Sequence, residues 1–476
     1  MLTDAIKQQI LSLAIRGKLT DQRPEDGSAE ELYLSIREEK KRLIKAGKIK
    51  KEKPLPPIEE KDIPFDIPEN WKWVRLGKIG SWSSGATPRR SNPEYFGGNI
   101  PWLKTGDLTD GLVDDVPEYI TEKALNETSV RLQPAGAVLI AMYGATIGKL
   151  GILTRPMTTN QACCACIPHN GIDRKFLFYF LMASRQKFIE RGEGGAQPNI
   201  SKEKITAFLL PLPPLAEQER IVEKLEAIMT ALQDLEGAKT RAQAIKTELH
   251  KSLLQEAIQG KLTDQRPEDG SAEDLYRSIL AEKKRLIKAG KLKKENPLPP
   301  IEEKDIPFDI PENWKWVRLG EITTYAQSKE KIEPSDIAPD TWSLDLEDIE
   351  KDSGRVLVRN LARERKITGS KSIFHKGELL YSKLRPYLKK ILIAPEDGVC
   401  TPELVNFSAY NGISHQYLVQ LLRSPYVDNA VNGKTYGVKM PRTNTETMCN
   451  LLLPLPPLAE QERIVAKLEE LLPLCD

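Results

Sequence analysis

The sequence predicts an α+β protein with a pseudo-two-fold internal repeat. Two globular α/β domains are joined by two long antiparallel helices that pair as a coiled coil. Three observations predict this. First, residues 17–77 return as 260–320, an offset of 243 residues from Gly17 to Gly260, with differences only at positions 31, 34, 37, 38, 49 and 53. Residues 210–226 return at the same offset as 453–469, altered only where Glu223 becomes Ala466. Second, the segments between these frames, 78–209 and 321–452, are equally long but largely unlike in sequence. Third, the frames carry apolar residues at coiled-coil spacing.

The boundaries follow from that plan. Residues 1–70 form an N-terminal constant region, 71–215 a first variable domain and 216–313 a central constant region. Residues 314–458 form a second variable domain, and 459–476 a C-terminal constant helix. After Pro211-Leu212-Pro213-Pro214, Ile221, Leu225, Ile228, Leu232 and Leu235 are spaced 4, 3, 4, 3. A phase slip near Lys239 leads to Ile245 and Leu249, and Gly260 supplies a stop. A continuous helix over 216–259 would span about 65 Å at ~1.5 Å per residue. Such a helix needs a partner, and both chain ends supply it. Ile464 and Leu468 repeat Ile221 and Leu225, while Ile6, Ile10 and Leu13 continue the spacing. The rebuilt helix lacks counterparts of residues 234–243, and Pro473 would disrupt its end.

Residues 30–47 read as a charged helix. The basic run 40–53 holds eight Lys/Arg against Glu52, and its copy 283–296 holds seven against Glu295. The ordinary reading is a solvated helix face, with contact to phosphate or an acidic partner as the alternative. The Pro-rich stretch 54–68 then reads as an extended strap.

In the first variable segment, Arg89 and Arg90 lie on a turn-rich loop and Lys104 follows Ile100-Pro101-Trp102-Leu103. A buried strand over 137–142 leads into Tyr143-Gly144-Ala145-Thr146-Ile147-Gly148-Lys149. Three residues between the glycines and Leu150 after the lysine exclude a phosphate-binding P-loop. A strand–turn–strand presenting Tyr143 and Lys149 fits instead. Residues 173–190 read as one amphipathic helix with Phe176, Phe180 and Phe188 inward. The polar loop 192–201 and the residue beyond it carry Gln197, Asn199 and Lys202. Gln and Asn can read adenine in a major groove, although capping a loop is their commoner use.

The second variable segment divides by charge. Residues 321–352 hold ten acidic against three basic residues, and 355–390 hold eleven basic against Glu364 and Glu378. This +9 stretch is the strongest electrostatic footprint in the sequence, and a strand face paired with the acidic stretch is its plain alternative. It includes Lys383, Arg385, Tyr387 and Lys389, where aromatics interleave with cations. The loop 432–444, with Lys434, Tyr436, Lys439, Arg442 and Asn444, occupies the place of the polar loop in the first segment.

No catalytic pattern emerges: there is no methyltransferase Asn/Asp-Pro-Pro-aromatic motif and no dinucleotide fingerprint. Cys163-Cys164-Ala165-Cys166 lacks a second pair for zinc and reads as small core residues, and Glu39-Lys40-Lys41 is too weak a nuclease fragment in so charged a helix. Across 476 residues, 70 Lys+Arg against 68 Asp+Glu give a formal charge of +2, which excludes a uniformly basic nucleic-acid coat. Six cysteines, no apolar run of membrane length and no signal peptide predict a reduced, cytoplasmic protein.

With those residues in place, the chain resembles the specificity subunit of type I restriction–modification systems over essentially its full length. The most specific features are the duplicated Leu-Pro-Leu-Pro-Pro-Leu-Ala-Glu-Gln-Glu-Arg-Ile-Val blocks at 210–222 and 453–465. The Pro-Glu-Asn-Trp segments at 68–71 and 311–314 and the Gly-Lys-Leu helix ends at 17–19 and 260–262 are similarly typical. The resemblance implies two target-recognition domains, each reading one half of a bipartite site on double-stranded DNA. It implies helices that set the unread spacer and dock two methyltransferase subunits, with endonuclease/translocase subunits joining them. Cofactors are expected on those partners (S-adenosylmethionine, ATP and Mg) and none on this non-catalytic chain. The competing reading is a helical adaptor that presents two ligand-binding modules to protein partners without DNA.

Overall fold

The repeated frames build the same framework twice. In the computed structural model, residues 2–47, 49, 54–194, 198–327, 330–437 and 439–475 are described. The chain divides into two units, Met1–Lys239 and Thr240–Asp476. The long helix is present as Leu215–Ile258, 44 residues, beginning in the first unit and ending in the second. Its first turns bury Ile221, Val222 and Leu225 in the core of the first unit, and its last turns bury Leu254, Ala257 and Ile258 in that of the second.

The chain-end helices repeat this packing one unit apart. Helix Leu2–Ile15 buries Leu11, Ala14 and Ile15, the counterparts of Leu254, Ala257 and Ile258. Helix Leu458–Leu471 buries Ile464 and Leu468 as the long helix buries Ile221 and Leu225. Ile6, Ile10, Leu13, Ile228 and Leu232 are half-buried, and Leu235, Ile245 and Leu249 are exposed. The 4, 3 spacing therefore threads through positions that pack onto the domains as well as positions that do not. As Pro473 predicts, the α-helix ends at Leu471 and continues as the 3-10 turn Leu472–Cys475.

A buried carboxylate ties each frame together. Glu217 is fully buried and accepts hydrogen bonds from the Trp71 indole at 2.7 Å, Gln22 at 2.6 Å and Thr20 at 3.1 Å. Glu460 accepts from Trp314 at 2.8 Å, Gln265 at 2.6 Å and Thr263 at 3.1 Å. Each frame also holds a forked guanidinium–carboxylate pair, Arg220 with Asp26 and Arg463 with Asp269. Gly17 and Gly260 end their helices at φ +67° and +69°, where an added Cβ would lie 2.4 Å from Pro68 and Pro311 respectively. Only glycine fits both the left-handed turn and the proline beside it.

The charged helices run over Ala29–Lys45 and Ala272–Lys288, each capped by a serine hydroxyl. Glu39 accepts from the Asn170 backbone and Lys40 donates to the Gly77 carbonyl, so the nuclease-like fragment is spent on structure. The Pro-rich straps are held by Arg75, which donates to the carbonyls of Pro56, Pro57 and Ala207, and by Arg318, which donates to those of Pro299, Pro300 and Asn450.

Each variable segment is a mixed α/β layer. The first contains a five-stranded sheet and a three-stranded sheet; the second contains a three-stranded and a four-stranded sheet. A common centre survives the sequence divergence. Strand Val138–Ala141 lies between Leu150–Leu153 and Cys163–Pro168, and strand Leu379–Ser382 lies between Ile391–Ile393 and Leu404–Phe407. The pairs Val138↔Ile152 and Val138↔Cys166 return as Leu379↔Ile393 and Leu379↔Phe407. Cys163, Cys164 and Cys166 are fully buried small residues of this sheet. Burial pushes the Cys164 thiol up to about 12.

The expected helix over 173–190 is two helices, Arg174–Ala183 and Arg185–Glu190, divided at Ser184. The break still leaves Phe176, Phe180 and Phe188 in the core. The second unit has His415–Arg423 and the longer Pro425–Asn432 in their places.

Candidate nucleic-acid interface

In the first unit the turn after strand Val138–Ala141 projects from the sheet. It winds through the 3-10 turn Gly144–Thr146 and returns at Leu150. The Gly148 amide donates to Ala141 at 3.0 Å and the Arg185 guanidinium donates to the Gly148 carbonyl at 2.8 Å, fixing the turn from the domain side. Arg185 is itself ion-paired with Asp110. Residues 193, 194 and 198–200, here called the arm, meet the turn: Gly144 N–H donates to Pro198 at 2.8 Å and Ile200 N–H to Met142 at 2.9 Å. Glu193 and Asn199 exchange backbone hydrogen bonds of 2.8 Å across the arm. Tyr143 is 43% exposed at the tip, and Asn199 is exposed beside it.

The second unit builds the same platform from other residues. Arg385 N–H donates to Pro441 at 2.7 Å and Thr443 N–H to Lys383 at 3.0 Å. Tyr436 and Arg442 exchange backbone hydrogen bonds of 3.0 and 2.9 Å. Gly144–Pro198 and Glu193–Asn199 of the first unit thus correspond to Arg385–Pro441 and Tyr436–Arg442 of the second. The turn residues are 241 apart and the arm residues 243 apart. The added length sits in Pro425–Asn432, eight residues against six in Arg185–Glu190. The sequence placed the two loops at equivalent positions; it did not show that each docks on the preceding hairpin turn.

Several residues that the sequence offers to DNA have partners within the protein. Arg90 pairs with Glu118 at 2.9 Å and lies over the Phe96 and Trp102 rings at 4.8 and 5.0 Å. Lys104 pairs with the same carboxylate. The Lys104 hydrogen bond, with Arg90 assisting against the effect of burial, holds the Glu118 carboxyl below its usual range. Lys389 pairs with Asp428 at 3.0 Å, Arg442 with Glu403 at 3.1 Å, and the Asn444 carboxamide caps the helix Thr445–Cys449.

The +9 stretch is partly paired in the same way. Arg365 pairs with Asp345 and Asp348, Lys371 with Asp345, Arg363 with Asp340, Arg355 with Glu350 and Arg359 with Glu396. Burial alone would push the Asp345 carboxyl up, but hydrogen bonds from Lys371 and Arg365 outweigh it and hold the carboxyl below its usual range. Four of the eleven cations thus pair with the acidic half of the segment, and Arg359 and Lys389 pair with Glu396 and Asp428 beyond it.

Side chains left available on the two platforms are fewer. In the first unit they are Tyr143, Lys149 and Asn199, with Lys202 half-exposed at the start of Lys202–Thr206 and Arg89 exposed on its loop. In the second they are Lys383, Arg385, Tyr387 at 46% exposure, Lys434, Tyr436 at 55% and Lys439. Gln197 lies outside the described residues. Sequence reading missed Arg185, which positions the first turn, and Glu217, which gathers the donors of its frame. The identical Glu-Gln pairs in both frames, Glu217-Gln218 and Glu460-Gln461, were the available signal. Among the described residues there is no metal-holding cluster of three His/Cys/Asp/Glu side chains, and no helix is long and apolar enough to cross a membrane.

Residues 68–246 and 311–474 match the family described as the type I restriction modification DNA specificity domain. The chain belongs to this family. Its copies of the specificity domain coincide with the two turn-and-arm platforms and their frames. The chain is 28% identical to the EcoAI type I specificity subunit of Escherichia coli, over 99% of this chain and 89% of that protein. It is 27% identical to the EcoDI specificity subunit of the same organism, over 86% and 83%. Among solved structures it resembles the HsdS subunit of Thermoanaerobacter tengcongensis, with a TM-score of 0.50 at 18% identity over 87% of this chain and 91% of that one. A chain from a study of type I R-M assembly and conformational transition gives a TM-score of 0.57 at 18% identity, over 87% and 92%. These two likenesses concern the fold.

Proposed function

We propose that each specificity domain applies its turn-and-arm platform to double-stranded DNA and reads one half of a bipartite site. The observation that carries this reading is the pair of platforms, equal in backbone register and unlike in exposed side chains. That is what two readers of different sequences require. The long helix and the chain-end helices set the unread spacer and dock two methyltransferase subunits, and endonuclease/translocase subunits join that core. S-adenosylmethionine, ATP and Mg belong to those partners, and this chain contributes recognition without catalysis, in the cytoplasm.

A near-neutral chain whose basic stretch is partly paired internally offers few cations to phosphate, and phosphate contacts supply much of the affinity for DNA. The chain alone therefore binds DNA weakly and in a salt-sensitive way, tightening once partner subunits clamp the duplex. Pairing of about half of its cations weakens the electrostatic ground for preferring DNA to a protein ligand, so family membership carries that choice. The test is to replace 78–209 with the corresponding segment of another family member and map methylated adenines. One half of the recognised site should change and the other stay. Unchanged methylation, or loss of both halves in a folded assembled complex, would count against independent half-site reading.

A further inference from the structure

The two platforms differ most sharply where their backbones agree. Gly144 and Gly148 have φ of +60° and +79°; the residues in their places, Arg385 and Lys389, keep the left-handed conformation at +50° and +49°. Glycine is the default there, and an L side chain that persists in it is strained. For Lys389 the protein supplies an internal reason, the ion pair with Asp428 at 3.0 Å. Arg385 has no such reason. Its guanidinium meets no acceptor among the described residues, and its Nε is buried without a hydrogen-bond partner.

The backbone that holds Arg385 is nevertheless fixed on several sides. Its N–H donates to Pro441, Leu384 bridges to Arg442, and the Ser382 hydroxyl donates to the Leu384 carbonyl at 2.7 Å. In the first unit a Cβ added at Gly144 meets nothing within 4 Å, so the equivalent point opens outward. On the arms the roles reverse. Arg442 is held by Glu403, whereas its counterpart Asn199 is exposed and its carboxamide meets no partner among the described residues. Among the described residues, each platform thus presents a free, planar hydrogen-bonding group from a hydrogen-bonded backbone: Arg385 in the second unit, Asn199 in the first.

We propose that Arg385 is a specificity-determining residue that reads a guanine in the half-site of the second domain, and that Asn199 reads an adenine in the half-site of the first. A guanidinium matches guanine O6 and N7 with two parallel N–H donors, and a carboxamide matches adenine N6 and N7. This rests on the DNA-reading function proposed above. Strain at Arg385 is then retained because the left-handed turn starts its side chain at the point that, at Gly144 of the first unit, faces open space.

The experiment uses the chain assembled with its methyltransferase subunits and a pool of duplexes randomised over both half-sites. Arg385→Gln and Arg385→Gly should each lose at least about tenfold of the preference for guanine at one position of one half. The other half should remain unchanged. Arg385→Gly should melt no lower than the parent, because it restores the glycine of the first unit. Asn199→Ala should relax an adenine position in the opposite half. The proposal is overturned if the Arg385 variants weaken all sequences alike with a shallower salt dependence, which marks a phosphate contact. It is also overturned if they change nothing, or if Asn199→Ala acts on the same half. A parent complex that selects no sequence at all fails the DNA-reading function itself, before any variant is compared.

Discussion

The segments 78–209 and 321–452 share little sequence, yet they keep one hairpin register and one docked arm. The frames around them share nearly every residue and repeat their hydrogen bonds to within 0.1 Å at Glu217 and Glu460. The difference teaches what each part must preserve. Frames preserve side chains because a buried carboxylate needs its own set of donors. Inserts preserve a backbone pattern, since strand pairing accepts any apolar residues of suitable volume, and their exposed positions are free to diverge.

Removing the buried carboxylate gives the largest expected effect. Glu217→Ala leaves the Trp71, Gln22 and Thr20 donors without their acceptor and should cost about 3–5 kcal/mol. Glu460→Ala should cost the same within error, each variant lowering the unfolding transition of its own unit in denaturant. A markedly unequal pair of losses would break the claim that the frames are energetically equivalent.

A smaller effect separates the hairpin turns. Gly148→Ala forces a side chain into φ +79°, with its Cβ 2.8 Å from the Arg185 Cγ, and should cost about 1–3 kcal/mol. Lys389→Gly at the matching position relieves left-handed strain of about 1–2 kcal/mol but gives up the Asp428 ion pair. The two nearly cancel, so its melting temperature should stay close to that of the parent. A large loss in Lys389→Gly would show that the ion pair, and not the turn conformation, governs the second hairpin.

The smallest effect lies in acid. Hydrogen bonds from Arg220 and Arg463 hold the Asp26 and Asp269 carboxyls below the usual range. A carboxyl depressed in the folded state stabilises above its unfolded value of about 4 and loses that contribution as pH falls through the folded value. Stability measured by urea unfolding should therefore fall below about pH 4. Asp26→Asn and Asp269→Asn should each flatten the decline in their own unit and leave the other unit's unchanged.

Much of this fold is legible in order along the chain. The frame helices announce themselves through heptad spacing and the terminal glycines, and the strand before Tyr143 through an unbroken apolar run. The division of helix 173–190 at Ser184 was not legible, because serine does not by itself interrupt an amphipathic pattern whose phenylalanines all remain buried. The domain-facing positions on Leu2–Ile15 were hidden for a related reason. Leu11, Ala14 and Ile15 carry the packing onto the domain, while the heptad count favours Ile6, Ile10 and Leu13.

The amino-acid order alone determined the duplicated plan, the positions of the helices and the equivalence of the two polar loops, because identity, periodicity and turn residues act over short stretches. Only the tertiary structure decided which cations remain available. Arg365 meets Asp348 from 17 residues away and Arg442 meets Glu403 from 39, so their charge is cancelled by groups that no local pattern joins to them. It alone decided, too, that Arg385 takes a glycine's conformation, since that backbone is fixed by hydrogen bonds from an arm more than fifty residues downstream.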